Sequence, residues 1–249
     1  MTDDASYNKT VVNTFKILDA ISNAHTAIGV SELAKTTGLP KTTVFRLLRS
    51  LEYVRVVEKN DQQCYHFGAK IITYSQNFER QSLLVQTALP LMKQFVKEVK
   101  ENISIGILYN NLVLYLHSEK GERFPLQVNL YPISPLYCSS MGKIFLSNFS
   151  PAALTNYLTA QKFTPRTVNT IVNPQVLRAE VLRAQTSKIA YDNEEYEYGL
   201  TCIGVPLYQQ SKMIAAASVS GPTSRLKARG WDFITEKIIN FGHQVSQRL

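Results

Sequence analysis

The segment "TTGLPKTTVFRLLRSL", residues Thr36–Leu51, decides the fold of the N-terminal part of the chain. From Pro40 onward its apolar side chains recur at helical spacing and form one stripe: Val44, Leu47, Leu48 and Leu51. The side chains that point away from this stripe are hydroxyls and cations: Thr42, Arg46 and Arg49, with Thr43 and Ser50 on the flank and Lys41 near the N-terminal end. The spacing therefore predicts a helix with a buried apolar side and a cationic exposed side.

A second short helix precedes this one. In "SELAKTT" we expect Ser31 to act as the N-cap, with Glu32 favourably placed in the first turn. Gly38 offers the left-handed conformation that ends a helix, and Pro40 suits the first position of the next one. Further upstream, "VVNTFKILDAI" repeats apolar residues on one helical face: Val11, Phe15, Leu18 and Ile21. Two short helices joined by a glycine-containing turn predict a helix-turn-helix.

The exposed face of the second helix indicates the partner. In a helix-turn-helix the N-terminal part of the second helix enters the DNA major groove, where Arg, Lys and hydroxyl groups reach bases or phosphates. A merely solvated helix face is the alternative, but the glycine turn, the proline and the basic face together favour DNA recognition. We predict that Thr42, Thr43 and Arg46 contact the bases or position the helix, and that Lys41 and Arg49 contact phosphates.

Two β-rich segments follow this helix. "YVRVVEK" and "QCYHFG" surround "NDQ", a pattern that predicts a hairpin and therefore a wing beside the helix-turn-helix. The charge of Asp61 offsets that of Lys59 at the tip, so we expect only a weak DNA contact there. Cys64 and His66 are interpreted as packing residues rather than metal ligands.

Length and composition limit the remaining possibilities. The chain has 249 residues, is 45% hydrophobic and 18% charged, and carries a net charge of +8, which together favour two packed domains and a polyanionic partner. Residues 1–68 hold eight Lys and Arg against seven Asp and Glu, so most of the excess charge lies further along the chain. No apolar run reaches membrane-spanning length, and the acidic start is not a secretory signal. Three scattered cysteines indicate neither a disulfide framework nor a metal site, so we expect a cytoplasmic protein without a cofactor.

The rest of the chain alternates strands and helices. Residues 70–82 predict a linker helix that continues toward a break at Pro90. "ISIGILY" and "LVLYLHS" predict a hairpin around Asn110–Asn111, and "RFPLQVNLY" a third strand. Three helical segments, three strands and a last helix from Trp231 follow. We predict an α+β domain with a mainly antiparallel sheet over residues 83–249, preceded by the linker and by a DNA-binding domain over residues 1–69.

The C-terminal domain contains no catalytic motif that we recognise. It lacks a P-loop, a GxSxG elbow and an HExxH helix. The acidic cluster Asp192, Glu194, Glu195 and Glu197 is interpreted as a solvated turn, and Cys202 as a packing residue. We predict that the chain is not an enzyme. Two alternatives remain open at this point: an enzyme that uses Cys138 or Cys202 beside a DNA-binding head, and a DNA-binding protein without a ligand.

Four segments together resemble one protein family. "SELAKTTGLPKTTVFRLLRSL", "YCSSMGKIFLS", "IAYDNEEYEYGLTCIGVPLY" and "AAASVSGP" are similar, in this order, to the motifs of the isocitrate-lyase-regulator (IclR) transcription factors. The resemblance implies a winged helix-turn-helix, a linker helix and a GAF-like α+β effector domain. It also implies a homodimer or homotetramer on a palindromic operator, with repression favoured over activation.

The resemblance further implies where an effector binds. Carried over by position, the pocket of that family falls on six residues: Ser140, Met141, Asp192, Cys202, Ser218 and Ser220. Apolar walls would come from residues 126–136. Backbone N–H groups at a helix start and hydroxyls at a strand end suit a small carboxylate. Arg55 and the pair Ser140–Met141 depart from the family pattern. We therefore expect the wing to take a different path if the site of Arg55 requires a positive φ, and the pocket to be narrower.

Overall fold

The computed structural model describes residues 7–24, 26–121 and 133–249, and it divides the chain into two compact units, Met1–Phe78 and Glu79–Leu249. The boundary between the units falls inside the helix α4, Lys70–Gln81. The strand predicted over residues 123–131, and most of the apolar wall predicted over residues 126–136, lie outside the described residues. The domain limits predicted at residues 69 and 82 stay predictions.

Ahead of α4, the described part of the N-terminal unit contains three helices and a two-stranded hairpin: α1 Lys9–Asn23, α2 Val30–Thr37, α3 Lys41–Tyr53, β1 Val57–Lys59 and β2 Tyr65–Phe67. The apolar stripe of α3 packs into its core, where Val44 and Leu48 are fully buried and Leu51 is buried. The hairpin is antiparallel, and Tyr65 also forms a bridge to Ile28 ahead of α2. These elements build the predicted winged helix-turn-helix.

Helix α1 buries a different face from the predicted one. Its core residues are Ile17, Ala20 and Ile21, whereas Val11 and Phe15 are exposed. The helix carries apolar side chains on two sides. In its first two turns, the periodicity of the sequence predicted the wrong side to be buried. An apolar strip of α1 is therefore left uncovered by its own unit.

The turn between α2 and α3 is close to its prediction. Gly38 adopts the left-handed conformation with φ 71, and its N–H donates to the carbonyl of Ala34. Pro40 was predicted at the first position of α3 but occupies the N-cap, one residue earlier, and makes no side-chain capping bond there. The assignment of Ser31 as the N-cap is wrong, because α2 begins two residues earlier, at Val30, and Gly29 occupies the cap without a side-chain hydrogen bond. The extended backbone of Gly29 starts the helix without help from a hydroxyl.

The C-terminal unit begins in the last turn of α4 and continues through α5, Leu83–Val99. The predicted break at Pro90 is wrong. The chain breaks instead at Ser82, whose hydroxyl caps α5 by accepting from the N–H of Val85. Pro90 lies on the exposed side of α5. A proline has no N–H to donate to the carbonyl one turn earlier in the helix, but on this side water can donate to that carbonyl instead.

Among the described residues of this unit, six antiparallel strands form a sheet in the order β5-β4-β3-β8-β7-β6. Their bounds are β3 Asn102–Tyr109, β4 Leu112–Glu119, β5 Ile133–Pro135, β6 Ala190–Asn193, β7 Leu200–Gln209 and β8 Lys212–Pro222. The remaining helices are α6 Ser140–Ser147, α7 Pro151–Ala160, α8 Pro174–Ser187, α9 Thr223–Arg229 and α10 Trp231–Arg248. Asn110 and Asn111 take positive φ in the hairpin that joins β3 to β4, as predicted.

The sheet separates two apolar cores. Helices α5 and α10 contribute to the core on one face, and α6, α7 and α8 to the core on the other. At the end of α5, the buried carboxylate of Glu101 accepts hydrogen bonds from Arg225 and Arg229 of α9. The predicted α+β class with a mainly antiparallel sheet is confirmed. The face covered by α6 and α8 holds the residues that concern function.

Candidate DNA-binding face and buried effector site

The structure places the five predicted DNA-contacting residues on the first three turns of α3. Lys41, Thr42, Arg46 and Arg49 are exposed, and Thr43 is half-buried. Within the described parts of the chain, none of the three cations forms an ion pair and neither threonine hydroxyl has a hydrogen-bond partner. A row of donors with no partner in its own unit is free to bind a polyanion.

A strained turn connects this helix to the wing. Arg55 is exposed and adopts φ 61, in the left-handed region that an L side chain occupies at a cost. The backbone is closely packed here, because a Cβ atom on Gly68 would lie only 2.7 Å from the carbonyl oxygen of Arg55. At the wing tip, Asn60 Oδ1 accepts from the N–H groups of Gln62 and Cys64 and closes the turn.

Strand register brings four of the six predicted effector residues onto one face of the sheet. Asp192 lies opposite Cys202, and Cys202 lies opposite Ser220. Ser218 lies opposite Gly204, two residues further along β7. Directly paired residues of antiparallel strands project to the same side of the sheet, so these side chains form one patch on the face covered by α6 and α8.

Helix α6 supplies the other two residues. Ser139 caps the helix by accepting from the N–H of Gly142 at 3.2 Å, and its own hydroxyl donates to the carbonyl of Pro135. A Cβ atom on Gly142 would overlap the backbone of Leu136, and one on Gly204 would overlap that of Ser140. The two glycines therefore let the N-terminal turn of α6, with Ser140 and Met141, lie directly against the sheet.

All six residues are buried, yet their polar groups are incompletely paired. Among the described residues, the hydroxyls of Ser140, Ser218 and Ser220 make no hydrogen bond. Asp192 Oδ1 accepts from the N–H groups of Glu195 and Tyr196, but Oδ2 has no partner there. Because buried polar groups are nearly always hydrogen-bonded, the unpaired Asp192 Oδ2 is unusual, and the three serine hydroxyls make this patch a candidate site for a polar ligand.

The electrostatics of the patch depend on three buried charged groups. Lys143 Nζ donates to Glu195 Oε1, and to the carbonyl of Tyr191 at 2.8 Å. Burial and, to a smaller extent, the neighbouring Glu195 carboxylate together raise the pKa of Asp192 to about 7, against the opposing effects of its two backbone hydrogen bonds and of Lys143. Burial also raises the pKa of Glu195, and Lys143 opposes that rise.

The interpretation of the acidic cluster as a solvated turn is wrong for two of its members. Asp192 is 1% exposed and Glu195 is 3% exposed. The adjacent loop holds this turn in place, because the hydroxyls of Thr167 and Thr170 donate to the carbonyls of Glu194 and Glu195. The signal that sequence reasoning missed is Lys143, a cation inside an apolar helix that requires a buried acid as its partner.

Further polar residues on this face were not predicted. Ser104 lies opposite Ser218 on one side and Ser118 on the other, and the two hydroxyls of Ser104 and Ser118 are 2.5 Å apart. Tyr115 is also buried on this face, with its hydroxyl 3.4 Å from Ser134 Oγ. In the sequence, serines at alternate positions of apolar strands were the signal for these residues. Ser104 and Ser118 extend the polar patch from β8 across β3 to β4.

The buried cysteines are unsuited to nucleophilic chemistry. Burial raises the pKa of Cys138 to about 12, and burial together with the Asp192 carboxylate raises the pKa of Cys202 well above its ordinary value. Both therefore stay protonated thiols at neutral pH, whereas the nucleophile is the thiolate. In the described ranges there is no cluster of His, Cys, Asp or Glu side chains able to hold a metal ion. None of the described helices is long and apolar enough to span a bilayer.

Comparison with known proteins agrees with this geometry. Residues 10–61 match the family model of the IclR helix-turn-helix domain, and residues 79–247 match that of the bacterial transcriptional regulator IclR C-terminal domain. The second match alone covers more than half of the chain. The chain belongs to the IclR family. The predicted membership, and the prediction that the chain is not an enzyme, are thereby confirmed, because this is a family of DNA-binding transcriptional regulators.

Individual relatives cover most of the chain. The HTH-type transcriptional regulator BhcR of Paracoccus denitrificans is 29% identical, over 92% of this chain and 83% of its own length. The acetate operon repressor of Salmonella typhimurium is 26% identical, over 85% of this chain and 79% of its own. A solved IclR homologue from Microbacterium hydrocarbonoxydans, in complex with 4-hydroxybenzoate, has a TM-score of 0.78 at 20% identity and covers 96% of this chain and 98% of its own.

The departure of this IclR protein at Arg55 has a simple structural outcome. We expected a different path for the wing if the site required a positive φ. The site does have a positive φ, and Arg55 adopts it rather than avoiding it. The chain therefore carries an exposed cation at a turn with a strained backbone.

Proposed function

We propose that this IclR-family regulator is a cytoplasmic repressor that binds a palindromic operator as a homodimer or homotetramer. We further propose that a small organic acid modulates its binding to the operator. Residues 1–69 would bind DNA, residues 70–82 would form the linker, and residues 83–249 would bind the effector and hold the oligomer together. Repression is favoured by the similarity to the acetate operon repressor.

The DNA-binding half of the proposal rests on the face of α3. Lys41, Arg46 and Arg49 have no ionic partner among the described residues, and the hydroxyls of Thr42 and Thr43 are likewise free there. Thr42, Thr43 and Arg46 would contact the bases or position the helix on them, and Lys41 and Arg49 would contact phosphates.

The regulatory half rests on the unpaired hydroxyls of Ser140, Ser218 and Ser220 in a buried site. A carboxylate can accept from all three, and a hydroxyl on the same molecule could donate to Asp192 Oδ2. Met141 and Cys202 would supply apolar contact beside them. The similar fold of the homologue bound to 4-hydroxybenzoate, a hydroxylated acid, supports this class of ligand.

The oligomer is supported by the uncovered strip of α1. Val11 and Phe15 are 52% and 61% exposed, which is costly for two large apolar side chains on adjacent turns. A second copy of α1 would cover them and give the two-fold symmetry that a palindromic operator requires.

The DNA contacts can be tested with an operator obtained by in vitro selection using the full-length protein. We expect Arg46→Ala to weaken binding by about 1–3 kcal/mol and to relax preference at one base position if the contact is to a base. A phosphate contact would instead weaken binding to every sequence and reduce the salt dependence. Arg248→Ala, which removes the same charge from an exposed position at the chain's other end, is the matched control. Unchanged affinity of Arg46→Ala at several salt concentrations would remove Arg46 from the interface.

The effector site can be tested with the double variant Ser218→Ala/Ser220→Ala. We expect it to bind the operator normally and to lose its response to small hydroxylated and aromatic acids, screened first by thermal shift on the wild type. Ser211→Ala/Ser224→Ala, which removes two exposed hydroxyls of the same unit, should respond like the wild type. Calorimetry that finds normal acid binding in the first variant would refute the assignment.

A further inference from the structure

One residue on the exposed side of α3 does not fit a purely polar interface. Phe45 is 48% exposed, although its neighbour Val44 is fully buried. At about 100° per residue, Phe45 lies one helical turn after Thr42 and one turn before Arg49, and so on the same exposed face. Sequence reasoning assigned this face to hydroxyls and cations and passed over the ring between them.

Phe45 is not part of the core of its own unit. The residues of α3 that are buried in that core are Val44, Leu48 and Leu51. Among the described residues the ring of Phe45 makes no aromatic or cation–π contact. About half of a large apolar side chain is therefore left in water, at a cost that a smaller or polar residue would avoid.

The position of Phe45 indicates what would cover it. It is the fifth residue of α3, within the half of a recognition helix that enters the major groove. The apolar feature that DNA displays in this groove is the 5-methyl group of thymine, and a phenylalanine ring is one of the side chains that contact it. The free hydroxyl of Thr42 and the free guanidinium of Arg46 would hold the helix at that depth.

We propose that Phe45 is a specificity-determining residue that packs its ring against the 5-methyl group of a thymine in each operator half-site. This inference rests on the proposed DNA-binding function and adds an apolar contact to its polar ones. It predicts that the operator contains a thymine whose methyl group, and not only its hydrogen-bonding edge, contributes to affinity.

The test replaces single thymines of the selected operator by deoxyuridine, which removes the methyl group and leaves base pairing unchanged. For the wild type we expect one substitution per half-site to weaken binding by about three- to tenfold, the effect of losing one buried methyl contact. For Phe45→Ala the same substitution should change affinity by less than twofold, because the ring that contacts the methyl group is gone. Phe233→Ala, a truncation of a similarly exposed phenylalanine in the other unit, should keep the sensitivity of the wild type.

The outcomes separate this proposal from the one on which it rests. Failure of the wild type to select or bind any operator would overturn DNA binding itself. An operator that binds tightly but has no methyl-sensitive thymine would overturn the role of Phe45 alone, as would equal sensitivity in the wild type and Phe45→Ala. A change of oligomeric state in Phe45→Ala, measured by sedimentation, would assign the ring to a protein contact and also overturn the proposal.

Discussion

Replacing Asp192 by Asn tests the electrostatic description of the buried site. The pKa of this carboxyl is raised from 3.8 to about 7, so the folded protein binds a proton that the unfolded chain releases. The stabilising effect of this proton is complete below pH 4 and is lost as the pH rises through 7. Since each pKa unit corresponds to about 1.4 kcal/mol, the loss is roughly 4 kcal/mol in all. Asn keeps an oxygen that can accept from the N–H groups of Glu195 and Tyr196 but cannot ionise.

The measurement is denaturant unfolding of both proteins between pH 5 and 8, followed by the fluorescence of Trp231, the one tryptophan of the chain. We expect Asp192→Asn to gain stability relative to the wild type by up to about 1.4 kcal/mol for each pH unit between 5 and 7, and the difference to level off above 7. Asp232→Asn, at an exposed carboxylate of α10, should follow the wild type. Parallel curves for the wild type and Asp192→Asn over this range would refute the reasoning.

Three further substitutions address individual features. Lys143→Met leaves the buried Glu195 without its cation and should cost about 3–5 kcal/mol in denaturant unfolding, most of which should return in Lys143→Met/Glu195→Gln; no recovery would contradict the pairing. Gly142→Ala forces a methyl group into the backbone of Leu136 and should cost at least about 1–3 kcal/mol by the same assay, so an unchanged midpoint would contradict the close approach of α6 to the sheet. Arg55→Gly should raise the melting temperature by the equivalent of up to about 1 kcal/mol, because relief of the left-handed strain exceeds the added flexibility of glycine; a lower melting temperature would show that the side chain stabilises the turn.

The helix-turn-helix could be predicted because its signals are local. The stripe of α3 and the left-handed glycine at residue 38 act within a few residues of each other, and the structure has both. The errors arise where several local solutions were possible. Helix α1 has two apolar sides, and only packing against α2 and β2 selects the one with Ile17. An exposed Pro90 is tolerated within α5, and no local pattern distinguishes it from a proline that breaks a helix.

The buried site could be predicted only in part. The serines of β8 and the residues at the start of α6 came from resemblance to a family, and their presence on one face depends on the register of strands distant in sequence. The burial of Asp192 and Glu195 could not be inferred from an acidic cluster. The cation that pairs with Glu195 is Lys143, about fifty residues earlier in the chain, and Asp192 is held by backbone N–H groups. Free hydroxyls and unpaired oxygens are properties of packing and are visible only in the structure.

The ion pairs of Glu101 with Arg225 and Arg229 connect two parts of the C-terminal unit that are distant in sequence. Strand β8, which carries Ser218 and Ser220, continues directly into α9, and two arginines of α9 grip a carboxylate placed just beyond the end of α5. These charge-assisted bonds are 2.6 and 2.9 Å long and end on a fully buried acid, which places them among the stronger hydrogen bonds of a protein. Because α9 follows β8 directly, these bonds join the end of the strand that carries Ser218 and Ser220 to the residues that follow α5.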